Sequence, residues 1–209
     1  SAMPHTLQFH RICLSLIAAL LLATGCASLP DDLQHNYTEG WPEPEQTFLV
    51  RTRAEGAPDD PSISGVVLLS EPEGSFTKRV AIADRAEQNL ALQYYLWKGD
   101  LAGQLLIWRA FEAADRGVSL RFLIDDIYHS GRDDVYALFD SHPNFEVRIF
   151  NPMANRGAGR WINYAMNRKH LNHRMHNKIF LADNAVAVLG GRNIGNDYFG
   201  IDTKANFFD

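Results

Sequence analysis

The run Val118-Ser-Leu-Arg-Phe-Leu-Ile124 constrains the fold more than any other segment. It is a nearly continuous apolar strand, and such strands occur mainly where both faces of a parallel sheet are covered. It follows Gly117 and delivers Asp125 and Asp126 at its carboxyl end. The surrounding segments supply the cover. Phe76, Val80 and Ala83 recur at helical spacing inside Ser75–Gln88, and Leu90–Trp97 is rich in strand formers. Asp100 is positioned to cap a helix whose Leu101, Leu105 and Trp108 share a face, and Gly117 to stop it. Asp133–Asp140 reads as a short helix. In Phe145–Phe150, Phe145, Val147 and Ile149 face one way while Glu146 and Arg148 face the other. These segments predict an α/β layered domain, with a central mixed or largely parallel β-sheet flanked by helices. No internal repeat or low-complexity tract interrupts it.

A hydrophobic content of 46% with 22% charged residues excludes disordered and fibrous classes, and 209 residues suggest one domain or one and a half. The net charge of -5 argues against a surface that coats nucleic acid. Near the amino terminus Arg11 precedes a short apolar run, Ile12–Ala23, which ends in Ala23-Thr24-Gly25-Cys26. That run is too short to span a bilayer comfortably. The arrangement resembles a bacterial lipoprotein signal; an ordinary secretory signal with a chance cysteine is the alternative. The resemblance implies that residues 1–25 are removed and Cys26 is lipidated. Ala27 in the next position then implies outer-membrane anchoring in the cell envelope, facing the periplasm. Cys13 would leave with the signal, so no free thiol would remain for metal binding, disulfide formation or catalysis. Residues 26–62, with five prolines and many acids, read as an extended tether with a short strand at Thr47–Val50. Residues 63–209 form the body, opening with the apolar run Gly65–Leu69.

Between Glu146 and Asp183 there is no carboxylate side chain, yet Arg148, Arg156, Arg160, Arg168, Lys169, Arg174 and Lys178 fall there with His170, His173 and His176. In a net acidic chain this is a local anion site by charge pattern. Trp161 and Tyr164 interleave with it and would suit a membrane interface or a stacked base. Within the stretch, alternation along a strand puts His176 and Lys178 on one face. An imidazole there can attack phosphorus while the ammonium holds phosphoryl oxygens. Asp183 has the opposite parity and sits with Asn184 at a turn, which favours a supporting role over contact with the His176 ring. Gly190-Gly191-Arg192-Asn193 lets the backbone turn back toward the motif.

His176-x-Lys178-x4-Asp183 followed by Gly190-Gly191-Arg192-Asn193-Ile194-Gly195 resembles the signature of the phospholipase D superfamily. Gln93–Trp97, Arg116-Gly117-Val118 and Asp125-Asp126 resemble its bacterial cardiolipin synthase branch, the lipoprotein-like class in particular. The resemblance covers about residue 65 onward. It implies a catalytic set of His176, Lys178 and Asp183, with His176 as the nucleophile of a phosphohistidine intermediate or the acid for the leaving alcohol. It further implies Lys178 and Asn193 as phosphate ligands and a histidine-orienting carboxylate on the next strand, for which Asp209 is a candidate. Such enzymes carry two motifs, whereas this sequence has one His-x-Lys pair. It therefore reads as the amino-terminal half of a longer protein, or as a chain that pairs with a second copy. Implied partners are phospholipids and that second half, with no nucleic acid and no cofactor. Two rival constellations, His170/His173/His176 and Asp125/Asp126/His129, have spacings open to a metal, but the family chemistry requires none. No Gly-x-Ser-x-Gly elbow or phosphate-binding loop is present. The expected activity is phosphatidyl transfer between phospholipids; hydrolysis by a phospholipase D or nuclease-type phosphodiesterase and a lipid-binding half-domain are the alternatives.

Overall fold

The computed structural model describes residues 39–42, 46–55, 60, 62–153, 165 and 168–207. The expected signal, Cys26, Arg156, Arg160, Trp161, Tyr164 and Asp209 lie outside them, as do the side chains of Lys169 and His170.

The elements in chain order are α1 (Phe48–Glu55), α2 (Pro72–Arg85), β1 (Asn89–Tyr94), α3 (Leu101–Asp115), β2 (Ser119–Asp125), α4 (Asp133–Asp140), β3 (Phe145–Phe150), α5 (Arg168–Leu171), β4 (Lys178–Ala182) and β5 (Val186–Leu189). Five strands form one mixed sheet in the order β3-β2-β1-β4-β5. The first three run parallel, β4 inserts antiparallel beside β1, and β5 returns antiparallel along β4. The fold is thus the expected α/β layered domain.

Leu90, Leu92 and Tyr94 of β1, Leu120, Phe122 and Ile124 of β2 and Phe180 of β4 form one deeply buried row set. The alternate residues Arg121, Leu123, Ile179 and Leu181 are only half-buried. The central strand is therefore fully covered on one face rather than both. Part of the other face is covered from the expected tether. The Arg121 guanidinium lies 4.2 Å from the centroid of the Trp41 ring and donates to the Glu39 carbonyl. The Asn184 amide donates to the carbonyls of Trp41 and Pro42.

The structure corrects one sequence expectation and adds to two other readings. Thr47–Val50 is not a strand: the Thr47 hydroxyl accepts from the Val50 amide, opening α1, and Leu49 is buried. Gly65–Leu69 belongs to no strand, and Val66, Val67 and Leu68 are exposed. The face of α3 that packs is Ala102, Gly103, Leu106, Ala110, Ala113 and Ala114, whereas Leu101 and Trp108 are exposed. Small residues win because the helix lies very close to its neighbour. A Cβ on Gly103 would sit 1.8 Å from the Lys98 carbonyl oxygen, and the Trp97 indole donates to the Gly103 carbonyl. The caps are as expected: the Asp100 carboxylate accepts from the Gly103 amide, and Gly117 has a φ of 96°. No helix among the described residues is long and apolar enough to cross a membrane.

His129, in the turn after β2, is enclosed in this core at 1% exposure. Its Nε2 accepts from the Trp97 amide and its Nδ1 pairs with the Tyr136 hydroxyl. Burial, aided by Arg132 and opposed by Asp125, lowers its pKa to about 4. The neutral ring therefore stabilises the fold fully above about pH 6.5, and that contribution is lost as pH falls through the window down to about 4. Urea unfolding should show up to roughly 3 kcal/mol of pH-dependent loss across that window, absent from His129→Gln. Parallel curves for the two proteins would refute the neutral buried imidazole.

Candidate active site

Because β4 is antiparallel to β1, its amino end lies where the parallel strands end. Loops at such strand ends commonly form the binding crevices of α/β sheets. His176 and Asn177 lead into β4, and Lys178 opens it opposite Tyr94. The Tyr95 amide donates to the Asn177 carbonyl at 3.2 Å, extending the pairing by one step. The Asn177 amide reaches Gln93 Oε1.

The two motif side chains differ in exposure. The Lys178 side chain is buried, its Nζ donating to the His176 carbonyl at 3.0 Å and lying 5.2 Å from the centroid of the Tyr95 ring. His176 is exposed, and its ring is tilted 60° against Tyr95 with centroids 4.7 Å apart. Tyr95 also meets Tyr128 edge-on at 5.3 Å. Burial, with help from the neighbouring Tyr128 hydroxyl, raises the Tyr95 pKa to about 12.

Asn193 is brought to the same edge. Residues 96–98 exchange hydrogen bonds with Ile194: the Ile194 amide donates to the Leu96 carbonyl and the Lys98 amide to the Ile194 carbonyl. Asn193 Oδ1 accepts from the Leu96 amide, and its Nδ2 donates to the Tyr198 hydroxyl. The connection from β5 turns through Gly190, whose φ of 151° suits glycine. Gly195 must also stay bare, since a Cβ would come within 2.8 Å of both Asp197 Oδ1 and Lys98 Cδ. Those two residues form an ion pair of 2.7 Å.

Asp183 does not join this group. It stands past the far end of β4, seven residues from His176, which at strand rise is roughly 20 Å. Its carboxylate accepts from the backbone amides of Glu87, Gln88 and Asn89 at the start of β1. Asp183 and Asn184 both adopt positive φ in the tight β4–β5 turn, a conformation that Asp and Asn tolerate better than most residues. The opposite parity read from the sequence thus has its structural counterpart.

The carboxylates of one alternative metal constellation are engaged by protein donors. Asp125 Oδ1 accepts from the Ile127 amide and from Arg174, and its Oδ2 accepts from the Met175 amide. Asp126 accepts from the Met153 amide. His173 is exposed. No group of His, Cys, Asp and Glu among the described residues could hold a metal ion. Arg174 was legible only as a member of the acid-free stretch. In the fold it bonds Asp125 and the Leu171 carbonyl, while its Nη2 is buried with no hydrogen-bond partner among the described residues. Tyr95 and Tyr128 carried no signal that set them apart from core aromatics.

The chain is 43% identical over 149 residues to cardiolipin synthase C of Escherichia coli, covering 71% of this chain and 31% of that protein. It is 31% identical over 136 residues to a cardiolipin synthase of Clostridium perfringens, covering 65% of this chain and 26% of the relative. The chain thus spans about a third or less of the curated relatives it matches. Among solved structures, NucT from Helicobacter pylori aligns with a TM-score of 0.48 at 17% identity, over 68% of this chain and 78% of that one. No protein-family model matches. Over the matched residues the chain is cardiolipin synthase-like in sequence.

Removing the Asp183 carboxylate should damage the fold. Asp183→Ala leaves three backbone amides short of an acceptor and strains a positive φ, costing ~3 kcal/mol or more. Asp183→Asn, which keeps one acceptor oxygen and the turn preference, should cost less. Thermal unfolding orders the three proteins; equal midpoints would show that the hairpin does not depend on this anchor.

Proposed function

We propose that this chain supplies the nucleophilic half of a phosphatidyltransferase with cardiolipin synthase-like chemistry. The observation that most supports this is an exposed imidazole, His176, beside a buried ammonium, Lys178, on one sheet edge with the Asn193 amide. In the proposed cycle a ring nitrogen of His176 attacks the phosphorus of a phospholipid. A P–N bond forms, the P–O bond to the leaving alcohol breaks, and an acid protonates the departing alkoxide. Lys178 and Asn193 hold the non-bridging oxygens, where negative charge resides. The hydroxyl of a second phospholipid then attacks the phosphohistidine, yields its proton to the conjugate base of that acid, and frees His176.

In this reading the acid belongs to a second His-x-Lys half, supplied elsewhere in the polypeptide or by a second copy. Asp209 is the proposed orienter of the imidazole, and Asp183 acts by anchoring the hairpin. Acyl chains on Cys26 would hold the site at the envelope membrane, where its phospholipid substrates are. Neither a cofactor nor nucleic acid enters the cycle.

The full-length protein, incubated with labelled phosphatidylethanolamine and phosphatidylglycerol, should form cardiolipin. Phosphatidic acid as the main product would instead indicate hydrolysis, and lipid binding without product a non-catalytic half-domain. His176→Ala should abolish turnover with the fold intact, and substantial remaining activity would refute the assignment. Lys178→Ala should lower the rate roughly 10²–10³-fold, the loss typical of one oxyanion donor.

Acylation is tested separately. Cys26→Ser should move the protein from the membrane fraction to the soluble periplasm, since stable attachment needs more than one acyl chain. Unchanged partition with no lipid mass on Cys26 would count against the anchor.

A further inference from the structure

We propose that Tyr95 is the positioning residue that seats both His176 and Lys178. The inference deepens the reading of His176 as nucleophile and rests on it. Tyr95 touches all three residues of the His-x-Lys segment. Its ring lies 4.7 Å from the His176 ring, and its face lies 5.2 Å from Lys178 Nζ. Its amide holds the Asn177 carbonyl between them. Among the described residues, the Tyr95 ring is the one aromatic or hydrogen-bonding contact of the His176 side chain.

An exposed imidazole on a strand end has rotamers to choose from, and most of them point its nitrogens away from a bound phosphorus. A nucleophile must be held within about 3–3.5 Å of its target and in line with the leaving group. A flat ring packed against the imidazole removes the unproductive rotamers without consuming a ring nitrogen, as a hydrogen bond would. The same ring attracts the ammonium through its quadrupole, so the spacing between nucleophile and cation is set by one rigid side chain.

The Tyr95 ring is itself held. Tyr128 packs against it nearly perpendicular, at 87°. Upstream, Tyr94 is fully buried in β1, so the backbone that carries Tyr95 is anchored in the core. Burial keeps the Tyr95 hydroxyl protonated well past neutral pH. The neighbour of Lys178 is thus a neutral ring and not a phenolate.

The role belongs to the ring and not to the hydroxyl, which makes a specific pattern of variants. In the full-length protein Tyr95→Leu should lower kcat by about 30-fold, within the loss a small misplacement produces, while KM changes by less than about 3-fold. Tyr95→Phe should recover most of that loss. The Cε1–H signal of His176 in proton NMR supplies a readout independent of turnover. It should carry a ring-current shift in the parent and in Tyr95→Phe, and lose it in Tyr95→Leu. Thermal unfolding confirms that each variant is folded. A folded Tyr95→Leu protein with unchanged kcat and an unmoved His176 signal would overturn the proposal. If His176→Ala proved fully active, the nucleophile reading would fail instead, and the NMR comparison would still decide whether Tyr95 seats the ring.

Discussion

The buried carboxylate of Asp125 is the interaction on which the site depends. It sits at the carboxyl end of β2 with no exposure, and it receives the Ile127 amide, the Arg174 guanidinium and the Met175 amide. A charge in that position would be costly without such partners. Charge-assisted bonds to a guanidinium and two amides offset the cost, and their directions tie one strand end to another. Arg174 and Met175 immediately precede His176, so the last turn of chain before the motif is fixed to the parallel half of the sheet. Losing one partner of a buried pair of this kind typically costs roughly 3–5 kcal/mol.

A second carboxylate closes the opposite end. Asp183 collects three successive amides at the start of β1. The ladder between β1 and β4 is thereby secured at both ends, by Asp183 at one and by Tyr95 on Asn177 at the other. Within that frame burial and chemistry divide. Lys178 is enclosed, where a cation acts through a medium less polar than water. His176, two residues away, is exposed. Asn193 arrives from beyond β5 because Ile194 exchanges backbone bonds with residues 96–98, a pairing that continues the sheet edge past the end of β1.

Much of this was legible in the order of residues alone, because it is decided locally. The apolar run ending at Ile124, the Asp100 cap and the Gly117 stop each act within a few residues of themselves. The His176-x-Lys178 pair and the Gly190-Gly191-Arg192-Asn193 turn are likewise read from adjacent positions. Where reading failed, a distant partner overrode a local preference. Thr47–Val50 has strand formers, but the Thr47 hydroxyl caps a helix and Leu49 finds a buried place on the body. Leu101 and Trp108 share a face as their spacing says. The helix nonetheless turns its alanines and Gly103 inward, and at Gly103 the Lys98 carbonyl leaves no room for a Cβ.

The sequence by itself therefore determined the alternation of strands and helices, the His176-x-Lys178 pair, and the glycine turn that follows it. Only the tertiary structure decided that β4 enters antiparallel beside β1. That one choice places His176 at the carboxyl ends of the parallel strands and sends Asp183 to the far end. It also brings Tyr95 beside the imidazole, and gives the Asp125 carboxylate to Arg174 and backbone amides. The reason is physical: side-chain type and spacing act over one or two turns of chain. Which strand lies next to which is settled by burial and hydrogen bonding between segments more than eighty residues apart.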